Sequence, residues 1–224
     1  MRVGAGLEAL LLDLDGTLAD TAPDMAGALN ALLAEEDREA LPYRDIRPWV
    51  SHGAWALVRL GFGESLEESR RKHLRERFLA HYENDLCRDT RLFDGLDSLL
   101  SRLESAGIPW GIVTNKPGWL TDPLVAALGL DRRAGIVVSG DTLPRAKPHP
   151  DPLLHAAGTL KSNPRACVYV GDASRDIEAG RAAGMTTVAA AWGYIPANED
   201  PAGWAADHLA TAPEDLVTLL LGAE

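Results

Sequence analysis

Five short apolar runs alternate with helical patterns, several of the runs stop at Asp, Gly or Thr, and one long interval carries helical signals only. Together these observations predict an α/β protein: a parallel sheet with helices on both faces, interrupted by an α-helical insert. A length of 224 residues suits one domain, or one domain with an insert. The 46% hydrophobic content is enough for a sizeable core, and the 25% charged content is ordinary.

The first run, residues 7–14 (LEALLLDL), ends in carboxylates and glycine, as a strand buried on both faces would. Similar runs follow at 108–114 (IPWGIVT), 135–139 (GIVVS), 166–171 (ACVYVG) and 186–190 (TTVAA). Helical patterns fall between them at 95–106, 119–128, 150–160 and 174–183, and an amphipathic stretch at 213–221 predicts a closing helix. From 19 to 90 no convincing strand appears; helical patterns at 23–36, 45–60 and 66–86 fill the interval. A block of this size just after the first strand predicts a separate lid. The expected division is 1–18 with 91–224 as the α/β core and 19–90 as a helical cap. Residues 193–203 (GYIPANEDPAG) form the longest irregular segment, expected near the working edge of the sheet.

Charge and cysteine usage narrow the function. Lys plus Arg number 22 against 33 Asp plus Glu, so the net charge is 22 − 33 = −11. That balance argues against nucleic acid and against an anionic membrane surface as partners. Taken alone it would also argue against an anionic small molecule. Cys87 and Cys167 lie far apart and outside any metal-ligand spacing, which fits a reducing compartment. The apolar stretch 9–12 is cut by Asp13 and Asp15, too short for a leader or a membrane span. A soluble, cytoplasmic protein is expected.

Ligands of open parallel sheets bind beyond the carboxyl ends of the strands, and the reactive residue types cluster there. Asp13-Leu14-Asp15-Gly16-Thr17 closes the first strand, where alternation would turn Asp13 and Asp15 the same way. An Asp-Gly turn is the plainer reading of that segment. Thr114-Asn115-Lys116-Pro117 follows the second strand, either as a helix cap or as an anion site at a helix start. Lys147-Pro148-His149-Pro150 follows the third, with prolines that stiffen the approach of Lys147. Gly171-Asp172-Ala173-Ser174-Arg175-Asp176 closes the fourth. Asp172 and Asp176, four apart, would repel on one helix face unless a cation sits beside them. With Asp13 and Asp15 they make four acids at strand ends, hard oxygen donors of the kind that hold Mg²⁺.

In this order the four pieces DLDGT (Asp13–Thr17), Thr114–Asn115, Lys147 within KPHPDP, and GDASRD (Gly171–Asp176) resemble the haloacid dehalogenase-like hydrolase superfamily. The resemblance covers nearly the whole chain, helical insert included. It implies a Rossmann-like core with strands in the order 5-4-1-2-3, so that strands 1 and 4 are neighbours. It implies Asp13 as nucleophile, Asp15 as general acid and then base, and Lys147 with Thr114 and Asn115 holding the phosphoryl group. It further implies Mg²⁺ held by Asp13, Asp15 through its backbone carbonyl, and Asp172, with Asp176 orienting the metal's waters. Dehalogenases of the superfamily lack an acid at the position of Asp15, because a halide leaves without a proton; phosphoryl transfer is therefore expected. The segment Val50-Ser51-His52-Gly53-Ala54 resembles the cap loop of the phosphoglycolate phosphatase branch, making Ser51, His52 and Gly53 specificity candidates. WGIVTNKP (110–117) and GYIPANEDPAGWAA (193–206) are similar to bacterial N-acetylmuramic acid 6-phosphate phosphatases. The expected activity is Mg²⁺-dependent hydrolysis of a small-molecule phosphate ester through an aspartyl-phosphate, by a monomer or homodimer. A sugar phosphomutase and a catalytically silent binding protein are the alternatives. Arg44 and Arg47 are candidates for a substrate carboxylate, and Trp49 and Trp55 for cap core. His73, His81, His155 and His208 match no site.

Overall fold

In the computed structural model, which describes residues 6–222, the apolar runs become strands of one parallel sheet. Residues 1–5 and 223–224 of the expected core range lie outside the described residues. β1 (Ala9–Leu12) leads into the short β2 (Ala19–Asp20), then α1 (Ala22–Glu35), the single turn α2 (Tyr43–Ile46), a 3₁₀ segment at Arg47–His52, α3 (Gly53–Phe62) and α4 (Glu68–Asn84). The chain returns through β3 (Arg91–Leu92), α5 (Leu96–Ser105), β4 (Trp110–Val113), α6 (Gly118–Ala127), β5 (Ile136–Val138) and α7 (Asp151–Thr159). It closes with β6 (Cys167–Gly171), α8 (Ser174–Ala182), β7 (Thr186–Ala190), β8 (His208–Ala210) and α9 (Glu214–Leu221).

The sheet runs β5-β4-β1-β6-β7-β8, with β1 paired in parallel to both β4 and β6. For the five expected strands this is the 5-4-1-2-3 arrangement. Period-two alternation explains why β1 is apolar throughout. Leu10 and Leu12 enter one buried cluster while Ala9 and Leu11 enter another on the opposite face. α5 buries Leu96, Leu99, Leu100 and Leu103, a 3.6-period stripe. Each fully buried leucine contributes about 1.5–3 kcal/mol, so these four rival the net stability of a whole domain and packing dominates local propensity.

Three elements differ from the sequence expectation. Strands do occur at the ends of the helical insert, where β2 pairs antiparallel with β3 (Ala19 with Leu92, Asp20 with Arg91). Two residues per strand leave no periodicity to detect. Asp24, at the start of α1, clamps the return by accepting bonds from the Asp89 and Thr90 N–H groups and the Thr90 hydroxyl. The expected helix 45–60 is broken, because Pro48 lies in the first turn of the 3₁₀ segment and Gly53 opens α3 at φ +76°. β8 is a sixth strand, three residues long behind a Pro/Gly-rich stretch, and its brevity hides it. The main apolar cluster runs without interruption from Leu10 and Leu12 in the sheet to Leu29, Leu57 and Phe78 in the helical insert. No helix among the described residues is long and apolar enough to cross a membrane.

Candidate active site

The carboxyl edge of β1 and its neighbours carries every strand-end motif. β1 stops at Leu12, earlier than expected, so alternation along a strand does not orient Asp13 and Asp15. Both nonetheless line one cavity of about 330 Å³ that the helical insert covers. Their surroundings differ. Asp13 is buried, and its Oδ1 lies 2.8 Å from Lys147 Nζ. Asp15 is half-buried, and its Oδ1 accepts from the Thr21 hydroxyl at 2.6 Å and from Lys116 Nζ at 2.7 Å.

Lys147 is almost fully buried and within 2.8 Å of four oxygens. They belong to Asp13, Asp176 (2.7 Å), the Val113 carbonyl and the Tyr169 hydroxyl (2.7 Å). A buried ammonium needs this many partners to offset its lost hydration. Asn115 holds the backbone beneath it: its side-chain amide donates to the Lys147 carbonyl and accepts the Lys147 N–H. The Asn115 side chain thus positions the lysine segment, while the Thr114 hydroxyl accepts from the Lys116 N–H at 3.1 Å. Both residues line the cavity.

On the β6 side, Asp172 and Asp176 lie one before α8 and one inside its first turn. Oxygens of Asp13, Asp172 and Asp176 fall within 4.8 Å of one another. Asp176 is occupied by Lys147, Tyr169 and the Ala173 N–H. Asp172 Oδ2 accepts from the Tyr194 N–H at 2.8 Å and the Ser51 hydroxyl at 2.7 Å, but its Oδ1 is buried with no hydrogen-bond partner. An orphaned buried carboxylate oxygen beside two further carboxylates fits a hard divalent cation. The acids carry the strain of that crowding. Burial, reinforced by the charges of Asp13 and Asp176, pushes the Asp172 carboxyl up to about 8. Burial also raises Asp13, against the pull of Lys147. Gly16, at φ +83°, lets the chain turn against this cluster, since a Cβ there would come 2.1 Å from Asp172 Oδ2.

The helical insert reaches the site through the loop expected to confer specificity. Besides its bond to Asp172, Ser51 offers its carbonyl to Arg175 at 2.8 Å. His52 faces Glu199 at 3.2 Å and the Trp49 ring, so it ties the insert to the 193–203 segment. Gly53 supplies the turn into α3.

Other residues are placed differently from their expected roles. Arg47 donates to the Trp192 and Gly193 carbonyls, both at 3.0 Å, and stacks on the Tyr194 ring, so it fastens insert to sheet. Arg44 is exposed beside Asp45. Trp49 packs on the apolar cluster as expected, but Trp55 is 43% exposed at the cavity rim.

Sequence reasoning missed the role of Lys116, although it directly follows Thr114-Asn115. Its ammonium sits 4.6 Å over the Tyr82 ring as well as on Asp15. Burial works to lower its pKa, but the Asp15 carboxylate prevails and holds it above the usual lysine range. Arg175 and Tyr194 were equally invisible as site residues, because their partners come from distant parts of the chain.

A parallel sheet whose carboxyl edge gathers these carboxylates and lysines beneath a helical cover is the arrangement of the haloacid dehalogenase-like hydrolases. The model of that family matches residues 10–190, and the chain belongs to it. Among its relatives, the phosphoglycolate phosphatase of Xanthomonas campestris pv. campestris is 46% identical over 208 residues, 93% of this chain and 94% of that one. The N-acetylmuramic acid 6-phosphate phosphatase of Pseudomonas aeruginosa is 40% identical over 214 residues, 96% and 95% of the two chains. A crystal structure described as a predicted phosphoglycolate phosphatase from Haemophilus somnus 129PT superposes with a TM-score of 0.84 at 28% identity, covering 96% of this chain and 98% of that chain. The chain is accordingly a phosphatase of this family.

Proposed function

We propose that the protein hydrolyses small organic phosphate monoesters through an aspartyl-phosphate on Asp13, with Mg²⁺ as cofactor. One observation carries the reading: two carboxylates line the same cavity, each held at Oδ1 by its own lysine, so that each keeps Oδ2 for chemistry. Asp13 Oδ2 attacks phosphorus as the ester P–O bond breaks. Asp15, protonated at Oδ2 when the ester is bound, delivers that proton to the leaving alcohol oxygen, then recovers one from the water that attacks the phospho-Asp13. The bond from phosphorus to Asp13 breaks, inorganic phosphate leaves, and Asp13 returns as the carboxylate and Asp15 as the protonated acid. Lys147 balances the charge that moves from Asp13 to the phosphoryl oxygens, and Thr114 and Asn115 set the floor on which that group rests. Asp13, the Asp15 carbonyl and Asp172 would hold Mg²⁺, with Asp176 behind them; bound there, the ion supplies charge neutralisation between carboxylates and phosphoryl oxygens.

In this reading residues 19–90 act as a cap on a core of 1–18 and 91–224. Ser51, His52 and Gly53 bring its loop to the site, and closure excludes water from the phospho-enzyme. A cavity of about 330 Å³ lies at the small end of ligand sites, which favours a compact ester. The names of the relatives point to 2-phosphoglycolate or N-acetylmuramic acid 6-phosphate, and both esters carry a carboxylate. The two unpaired thiols, Cys87 and Cys167, suit a reducing compartment, in this reading the cytoplasm. The test is phosphate release from these esters and common sugar phosphates, with Asp13→Asn alongside. Wild-type protein should release phosphate and lose this on chelation; Asp13→Asn should retain its fold without turnover. Appreciable turnover by Asp13→Asn sinks the assignment, and isomerised sugar phosphate without net phosphate release points to a mutase.

A further inference from the structure

Among the described residues, the cations that line the cavity or sit against its acids are matched to acids with one exception. Lys147 faces Asp13 and Asp176, and Lys116 faces Asp15. Arg175 donates to the Ser51 carbonyl and lies in the field of Asp176, Asp13 and Asp172. Arg75 is different. It sits on α4 with Leu79 and Tyr82 at i+4 and i+7, the face of the helix that lines the cavity. Its guanidinium stacks over the Trp55 ring at 4.9 Å, and its Nε is buried with no hydrogen-bond partner. Among the described residues it makes no hydrogen bond and no ion pair.

A partly buried guanidinium without an acid gives up hydration for nothing unless a ligand completes it. Stacking on Trp55 holds the planar group in place, and its fork of donors matches a carboxylate in two parallel bonds. The cavity is therefore lined by charged groups from both sides: Asp13, Asp15 and Lys116 from the sheet, with Lys147 against Asp13, and Arg75 from α4, alongside apolar Val50, Met25 and Leu79. A phosphate fits the sheet side. One guanidinium balances the single charge of a carboxylate, whereas a second phosphate carries about 1.5–2 negative charges and would be left undercompensated.

We propose that Arg75, seated on Trp55, is a specificity-determining residue that receives a carboxylate carried by the alcohol portion of the phosphate ester. The proposal rests on the phosphatase reading and deepens it. It also moves the carboxylate contact away from Arg47, which holds the Trp192 and Gly193 carbonyls, and from Arg44, which is exposed beside Asp45.

Two matched pairs of esters test it. 2-Phosphoglycolate and 2-hydroxyethyl phosphate differ in a terminal carboxylate, and N-acetylmuramic acid 6-phosphate and N-acetylglucosamine 6-phosphate differ in the lactyl group that bears one. Phosphate release gives kcat/KM for each. The wild type should prefer the carboxylate member of at least one pair by about tenfold or more, the effect of about 1.4 kcal/mol. Arg75→Met should narrow that preference to within about threefold, mainly through KM, and Arg75→Lys, which keeps the charge without the fork, should fall between. The preference is a ratio within one preparation, so partial misfolding cancels. A wild type without preference in either pair, or a preference that survives Arg75→Met, overturns the subsite while the phosphatase reading stands. A sugar bisphosphate preferred over all four, with the preference lost in Arg75→Met, overturns the carboxylate assignment. No turnover of any ester overturns both readings.

Discussion

Lys116→Met removes one charge from the Asp15 side of the site and keeps most of the stem that packs on Tyr82. At 2.7 Å and an effective dielectric constant of about 20, the Lys116–Asp15 pair attracts by about 332/(20 × 2.7), or about 6 kcal/mol. Desolvation of the lysine offsets part of that, so the expected net loss is about 3–5 kcal/mol, the range for breaking a buried pair. For a chain of this length that is a fall in Tm of about 6–20 °C. Equilibrium urea unfolding of wild type, Lys116→Met, Asp15→Asn and the double variant measures it directly. The double variant should recover at least half of the single-variant loss, because a neutral amide in place of the Asp15 carboxylate leaves no uncompensated charge. Lys116→Met losing less than about 1 kcal/mol, the range of an exposed surface pair, would falsify the claim that this pair is desolvated.

Two further outcomes follow from the carboxylate cluster. Gly16→Ala forces a Cβ to within 2.1 Å of Asp172 Oδ2 at φ +83°, which costs about 1–2 kcal/mol in backbone strain alone and displaces a candidate metal ligand. The Mg²⁺ concentration for half-maximal phosphatase activity should rise by about tenfold, the effect of about 1.4 kcal/mol, and an unchanged activation constant would count against the cluster as the metal site. The second outcome concerns pH. Asp172 is raised from 3.8 to about 8, so the folded, metal-free protein holds a proton that the unfolded chain releases. Its stability should therefore fall as pH rises from about 4 to about 8. A cation replaces that proton, so the gain in Tm on adding Mg²⁺ should grow over the same window; a gain equal at both ends argues against the assignment.

Much of the site was legible because its parts sit at strand ends, where local sequence and topology agree. An apolar run that must stop at a carboxylate places Asp13 and Asp15, and the same logic places Asp172 near Asp176 and Thr114 near Asn115. Lys147 was legible through its proline-stiffened loop. The charge of −11 excluded little about the ligand, because the acids of the cluster and the lysines that face them form a local field of their own.

What the chain alone determines is the alternation of buried strands with amphipathic helices, the helical interval after β1, and the identity of the acids at the sheet edge. These depend on hydrophobic period and turn chemistry, which act over a few residues. Tertiary structure decided the rest. Only folding sets Lys116 on Asp15, Ser51 on Asp172, Arg47 on the 192–193 backbone and Arg75 on Trp55 over the cavity. Those contacts join residues 20 to 146 positions apart, and no local pattern encodes which of many exposed-looking cations will face which acid. Burial then gives each pairing its strength, because a charge removed from water must be met by a partner or by a ligand.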